Sequence, residues 1–217
     1  MTSAFELLPV ERAAADLERV RELNARVRSL QRITLAGSAV EGSPVLPTLP
    51  DLQTLLPGGG LQPGGVYSVI GSTSLLMGLL AGPSAAGLWC AVVGVPWFGA
   101  EAASRLGIDL SRLVLVPSPG SAWLAVVAAL ADALRVVAVR PASRVSETDA
   151  ARLRARLRQH DAALIAFGEW PGATARLSVA HSAWQGMGQG HGYPRERVVT
   201  VRAEVRGVAR QGEWAVA

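Results

Sequence analysis

The stretch Val66–Leu80, VYSVIGSTSLLMGLL, constrains this chain more than any other. A short apolar run, Val66–Ile70, reads as a buried strand. Gly71–Ser74 reads as a tight turn, and the apolar residues from Leu75 on read as a helix. A glycine-rich turn, PGGGL, precedes the strand at Pro57–Leu61. Strand, glycine turn and helix are the layout of a phosphate-binding loop. There, backbone N–H groups and a helix N-terminus hold phosphate oxygens while a lysine reaches the outer phosphates. Here the loop is too short, and Leu75-Leu76-Met77 stands where Gly-Lys-Ser/Thr is needed. The sequence contains no lysine at all, so its basic charge is entirely arginine. The pattern predicts the shape of a nucleotide-binding motif without its chemistry. Any phosphate contact is left to the backbone of Gly71, Ser72, Thr73 and Ser74.

The residues around and beyond this motif decide the fold class. No charged residue lies between Asp51 and Glu101, which raises the question of a membrane span. Gly71, Gly82-Pro83, Gly94 and Pro96 cut the region into pieces shorter than the ~20 apolar residues a span needs. Apolar runs at Gly87–Val95, Leu113–Pro117, Leu134–Val139 and Ala162–Phe167 alternate with helical stretches. The helices are Leu75–Leu80, ended at Gly82-Pro83, then Ala100–Leu106, Ser121–Ala133 and Ser146–Arg158. Continuously apolar strands alternating with helices predict an α/β core whose mostly parallel sheet is covered on both faces. Arg176–Ala183 and Val198–Val205 alternate enough to read as antiparallel edge strands. A length of 217 residues with half of them apolar is ample for one core.

The ends read differently. Val10, Ala13, Leu17, Val20, Leu23, Val27 and Leu30 recur at helical spacing, which predicts an amphipathic N-terminal helix within residues 1–35. A Gly/Ser/Pro-rich linker over 36–50 separates it from a core over 51–183, and 184–217 forms a C-terminal strand or tail region. The helix is either packed on its own domain or a docking arm, in which Leu17, Val20 and Val27 would meet a partner. Exposed tryptophans are common interface anchors, so Trp184 and Trp214 are the corresponding candidates near the C-terminus; packing on the edge strands is the competing reading.

The net charge is +4, and the stretch from Arg135 on carries 13 arginines against 7 carboxylates. A basic last third suits an acidic partner such as nucleic acid. Arg140, Arg144, Arg152, Arg154, Arg156 and Arg158 are the candidate DNA contacts, although the spacing of two puts Arg152 and Arg154 on different helix faces. The alternative is a solvated helix face. Three histidines and one cysteine show no metal-ligand spacing, and no nucleophile elbow is present. No metal or cofactor is therefore expected. A lone cysteine in an apolar run, with no leader-like N-terminus, suits a reducing cytoplasm.

The order of pieces resembles the ATPase core of RecA recombinases. The matching parts are the PGGGL turn, strand and loop, CAVVGVPW, AEAASRLGIDLSRLVLVPSPGSA, and LAVVAALADAL leading to VVAV. The shortened core and weakened loop look closer to ImuA, the RecA-like accessory protein of bacterial mutagenic translesion synthesis. The resemblance covers Leu52–Phe167. It puts the catalytic glutamate of RecA near Val95-Pro96 and its Mg²⁺-binding aspartate at Val139-Arg140, so neither carboxylate is present. Phosphoryl transfer depends on placing such charges, and the resemblance thus implies a non-enzymatic pseudo-ATPase, monomeric or a small oligomer. By the same resemblance, its partners are an ImuB-type Y-family polymerase homologue and the error-prone C-family DNA polymerase, with DNA as a further candidate. The alternative is an inhibitor of cell division similar to SulA, which shares a degenerate core. An ATP-driven recombinase is the enzymatic reading, and the missing lysine opposes it.

Overall fold

The computed structural model describes residues 45–185 and 196–216. The N-terminal helix expected within 1–35, with Leu17, Val20 and Val27, lies outside these residues. So does most of the expected linker. Its described end is packed: Leu46 is buried and exchanges backbone hydrogen bonds with Leu61, and Thr48 is buried too.

Eight strands form one sheet. They are β1 (Val66–Ile70), β2 (Cys90–Val93), β3 (Leu113–Val116), β4 (Val136–Val139), β5 (Ala163–Phe167), β6 (Ala175–Gln185), β7 (Glu196–Val205) and β8 (Val208–Val216). Their spatial order is β3-β2-β4-β5-β1-β6-β7-β8. All pairings from β3 to β6 are parallel, and β7 and β8 are each antiparallel to the strand before them. The expected α/β class with a mostly parallel sheet between helices is the observed one.

Period-two alternation along the central strands splits the core into two layers. Tyr67, Val69, Val92, Ala138 and Ile165 face one side, where α1 (Pro50–Gln53), α2 (Thr73–Ala85) and α3 (Ala100–Arg105) pack. Val66, Val93, Val137, Val139 and Leu164 face the other, against α4 (Trp123–Ala131) and α5 (Glu147–Gln159). Both faces are apolar, so the central strands read as solid apolar runs, as parallel sheets require.

Three sequence expectations are corrected. First, α2 does not stop at Gly82-Pro83 but runs to Ala85. Pro83 lies in its last turn, where a missing N–H costs only one helical bond. The helix ends at Gly87, whose φ of +79° permits the closing bond from Leu88 N–H to the Pro83 carbonyl. Second, β6 pairs antiparallel with β7 as expected but is not an edge strand: its other side adds in parallel to β1, with Ser68 level with Arg176. It also runs through residue 184, so the same element crosses the expected boundary between core and C-terminal region. Third, β7 is not an edge either, because a further strand, β8, covers it. Arg206 and Gly207, both at positive φ, form the two-residue turn between Val205 and Val208. That is the geometry which joins adjacent antiparallel strands.

Candidate functional site

In an open parallel sheet, ligands are met at the carboxyl ends of the strands. At that rim β1 delivers Gly71, at a φ of +69°, and Ser72 caps α2 by accepting the Leu75 N–H at 3.2 Å. Ser72, Thr73 and Ser74 are half-buried. The strand–turn–helix shape is therefore present. The apolar start of the helix is not a substitute for the missing side chains, because Leu75, Leu76 and Met77 are buried in the core.

The neighbouring strand ends hold no carboxylate pair. Beyond β2, Val95 is buried and Trp97 is half exposed. Beyond β4, Arg140 lies with its guanidinium 5.0 Å from the centre of the Trp97 ring, a favourable cation–π arrangement. Trp97 meets Phe167, the last residue of β5, edge to face at 6.4 Å. Glu169, the nearest acidic residue after β5, is ion-paired with Arg176 of β6. Ser68 is buried in β1 and its hydroxyl donates to the Gly168 carbonyl. The rim carries Arg140 and Phe167 against Trp97, where a metal-nucleotide site needs acids. Among the described residues, no group of three or more His, Cys, Asp or Glu side chains could hold a metal ion.

The six candidate DNA-contact arginines do not come together as one surface. Ser146 caps α5 by accepting from the Asp149 N–H at 3.0 Å, and Ala150, Leu153 and Leu157 face the core. That fixes the other faces. Arg152 and Arg156 flank an open groove against α4. Arg156 makes a two-pronged contact with Asp132, which raises its already high pKa through that hydrogen bond. His160 Nε2 lies 3.3 Å from the same carboxylate. Arg154 points elsewhere and donates to the Gly172 carbonyl. The aliphatic stem of Arg158 lies over Gly64. Arg140 is on Trp97, and Arg144 lines a separate groove of about 360 Å³ with Pro141, Glu169 and Trp170. The alternating spacing in the sequence is the physical reason: on a helix it sends neighbours to different faces.

The two tryptophan docking candidates part company. Trp184, on β6, is 54% exposed and pairs across the strands with Arg197. Trp214 is 2% exposed and fills the space beside Gly78 of α2, where a Cβ would come within 2.7 Å of its ring. Trp214 is a core residue, which removes it as a docking anchor. Sequence reasoning missed the stack of Trp97 and Arg140. Its signal was an aromatic in the loop after a parallel strand, four residues past Val93.

Two buried groups are perturbed by the same packing. Desolvation pushes the Tyr67 phenol up to about 12, partly offset by the hydrogen bond it accepts from the Gln62 N–H at 2.7 Å. Burial alone pushes the Cys90 thiol up to about 12. Neither is a reactive centre at neutral pH.

Comparison with known proteins places these features in a family. The family model of the MT3502 N-terminal domain matches residues 54–172, which run from just after α1 through β5. A Mycobacterium tuberculosis (strain ATCC 25618 / H37Rv) protein described as uncharacterized protein Rv3395c is 34% identical over 163 residues. The match covers 72% of this chain and 80% of that protein. Among solved structures, SulA from Pseudomonas aeruginosa aligns with 48% of this chain and 98% of its own, at 17% identity and a TM-score of 0.40. A likeness of that size does not establish shared function. The chain belongs to the MT3502 N-terminal domain family.

Proposed function

We propose that this chain is a non-catalytic, RecA-like adaptor of the ImuA type, acting in the cytoplasm in DNA-damage-induced mutagenic translesion synthesis. Its partners are an ImuB-type Y-family polymerase homologue and the error-prone C-family polymerase. The observation that carries the reading is the rim itself. The phosphate-loop turn keeps its shape while Arg140, stacked on Trp97, stands at the end of β4 in place of an acid. An arginine there repels Mg²⁺, and with no lysine in the chain neither the metal nor the loop lysine of a phosphoryl-transfer site has a counterpart. A fold of this kind, relieved of its chemistry, is free to act as a platform. Among the described residues no helix is long and apolar enough to cross a membrane.

The docking elements are the amphipathic stretch with Leu17, Val20 and Val27, and the exposed Trp184. DNA contact falls to Arg144 and Arg152, which among the described residues make no ion pair. The test is co-purification of the full chain with the ImuB-type homologue from the same organism, beside chains carrying Trp184→Ala or Leu17→Asp. Complex formation that one substitution abolishes, with the fold intact, supports the adaptor. Recovery of the tubulin-like division protein instead favours a SulA-like inhibitor. A folded chain that binds no polymerase homologue removes the assignment.

A further inference from the structure

Helix α4, WLAVVAALA, has no polar residue on any face. Trp123, Val126, Val127 and Leu130 face the sheet and are buried, while Leu124, Ala125 and Ala128 face outward. A helix apolar all round normally lies under something. Here the outward side lines an open groove of about 430 Å³ shared with α5, whose rim carries Asp149, Arg152 and Arg156. Arg156 is satisfied within the chain, because Asp132 holds it by two nitrogens. Asp149 and Arg152 are not ion-paired, either with each other across one helical turn or with any other described residue. Asp149 accepts the Ser146 hydroxyl through Oδ2 at 2.7 Å, which leaves its Oδ1 without a partner among the described residues.

We propose that this groove is the contact between two copies of the chain, related by a two-fold axis level with the Asp149–Arg152 turn of α5. Self-complementary charge selects this occupant. A two-fold axis makes every contact reciprocal: where one residue meets a second, the second meets the first. Asp149 and Arg152 lie one turn apart on the same rim. With α5 antiparallel to its copy, Arg152 of each chain comes to Asp149 of the other, so both unpaired charges are satisfied, twice over. A wholly acidic or wholly basic segment would match only one of them. The apolar wall obeys the same symmetry. α4 and α5 each lead from one parallel strand to the next, so both run in the same direction and α4 also crosses its copy antiparallel. Ala122, Ala125 and Ala128 are small enough for an axis separation of about 8–10 Å, which covers Leu124. Helices of nine and thirteen residues offer a face of only a few hundred Å², roughly, against about 800 Å² per partner in a standard interface. A weak dimer is therefore expected, with Kd of roughly tens of micromolar. The dimer takes Arg152 out of reach of DNA, so the two uses of that side chain exclude one another. The pairing concerns this chain alone and stands whether or not it serves as an adaptor.

Sedimentation equilibrium of the full-length chain tests it, over a range from about 5 to about 300 µM that brackets such a Kd. Wild type is compared with Ala125→Arg, with Arg152→Asp, and with the exchange that combines Asp149→Arg and Arg152→Asp. Ala125 is exposed, so arginine there fills the groove without entering the core. The exchange keeps the cap of α5, because the Ser146 hydroxyl accepts from the backbone N–H of residue 149. The mass of wild type should rise with concentration from 22.6 kDa toward twice that value. Each single substitution should weaken association about tenfold or more, one by bulk and the other by setting like charges against each other. The exchange should return Kd to within about threefold of wild type, since both pairs re-form with their signs reversed. A chain that is monomeric at every concentration overturns the proposal. So does a dimer indifferent to both single substitutions, or an exchange no better than Arg152→Asp alone. Circular dichroism checks the fold of each variant. Should Ala125→Arg disturb it, Arg152→Asp and the exchange decide alone, since Arg152 is exposed.

Discussion

Trp214 offers the sharpest separation between packing and docking. Its ring is 2% exposed and occupies the space left by the absent side chain of Gly78. Trp214→Ala removes a large buried aromatic from the layer between β8 and α2, which costs about 3–5 kcal/mol. For a chain of this size each kcal/mol lowers Tm by roughly 2–4 °C, so the expected fall is roughly 6–20 °C. The partner substitution works from the other side. In Gly78→Ala the new methyl would lie 2.7 Å from the Trp214 ring, an overpacking that costs about 1–3 kcal/mol and is offset by at most ~1 kcal/mol of helix propensity. In the Trp214→Ala background the clash is gone, so Gly78→Ala should become neutral or stabilising by up to ~1 kcal/mol. Thermal and urea denaturation followed by circular dichroism read all four corners of the cycle. A Tm change under about 2 °C for Trp214→Ala, or costs that simply add, would refute the packing account.

Further expectations attach to single sites. Tyr67 is raised from 10.0 to about 12, so the stability it contributes is complete below pH 10 and is lost as pH rises through about 12. Alkaline titration should show tyrosinate absorbance of Tyr67 appearing near pH 12, a component absent from Tyr67→Phe. Its appearance near pH 10 in folded protein would contradict the burial. Cys90, buried and also raised to about 12, should resist a thiol reagent at about pH 8 until denaturant is added. Prompt labelling of native protein would show the strand to be open. Asp132 accepts from both Nε and Nη2 of Arg156. Asp132→Ala should cost about 1–2 kcal/mol in urea unfolding, the partial exposure of the guanidinium holding the loss to that range. Equal stability of the variant and wild type would reduce the contact to a solvated pair.

The central half of the fold was legible because both faces of the sheet are covered. Every residue of β2, β4 and β5 is apolar, which leaves turns and helices as the only breaks to read. The helix expected over Ser146–Arg158 is α5, Glu147–Gln159, with Ser146 as its cap. The apparent stop at Gly82-Pro83 misled, because proline is tolerated at a helix end and the termination depends on Gly87. The C-terminal sheet was harder. β8 is largely exposed and carries Arg210, Gln211 and Glu213, so it lacks the apolar run of the central strands. Only the Arg206-Gly207 turn betrays it. Trp214 could not be told from an interface tryptophan by sequence, since its partner is an empty position, Gly78, far away in the chain. At the rim, the missing lysine was plain in the sequence, and the missing acids followed from the resemblance to RecA. The Arg140–Trp97 stack was not, because it joins residues from two loops that only the parallel pairing of β2 with β4 brings together.

The claim that the phosphate-loop shape persists without phosphoryl-transfer chemistry is tested most directly by ATP turnover. The purified full chain would be incubated with ATP and Mg²⁺, with and without single-stranded DNA, beside Ser74→Ala. The account predicts no phosphate release above a protein-free control under any of these conditions and no difference between the two proteins. Turnover by the wild type that Ser74→Ala abolishes would contradict it, because a working site would then exist at this rim.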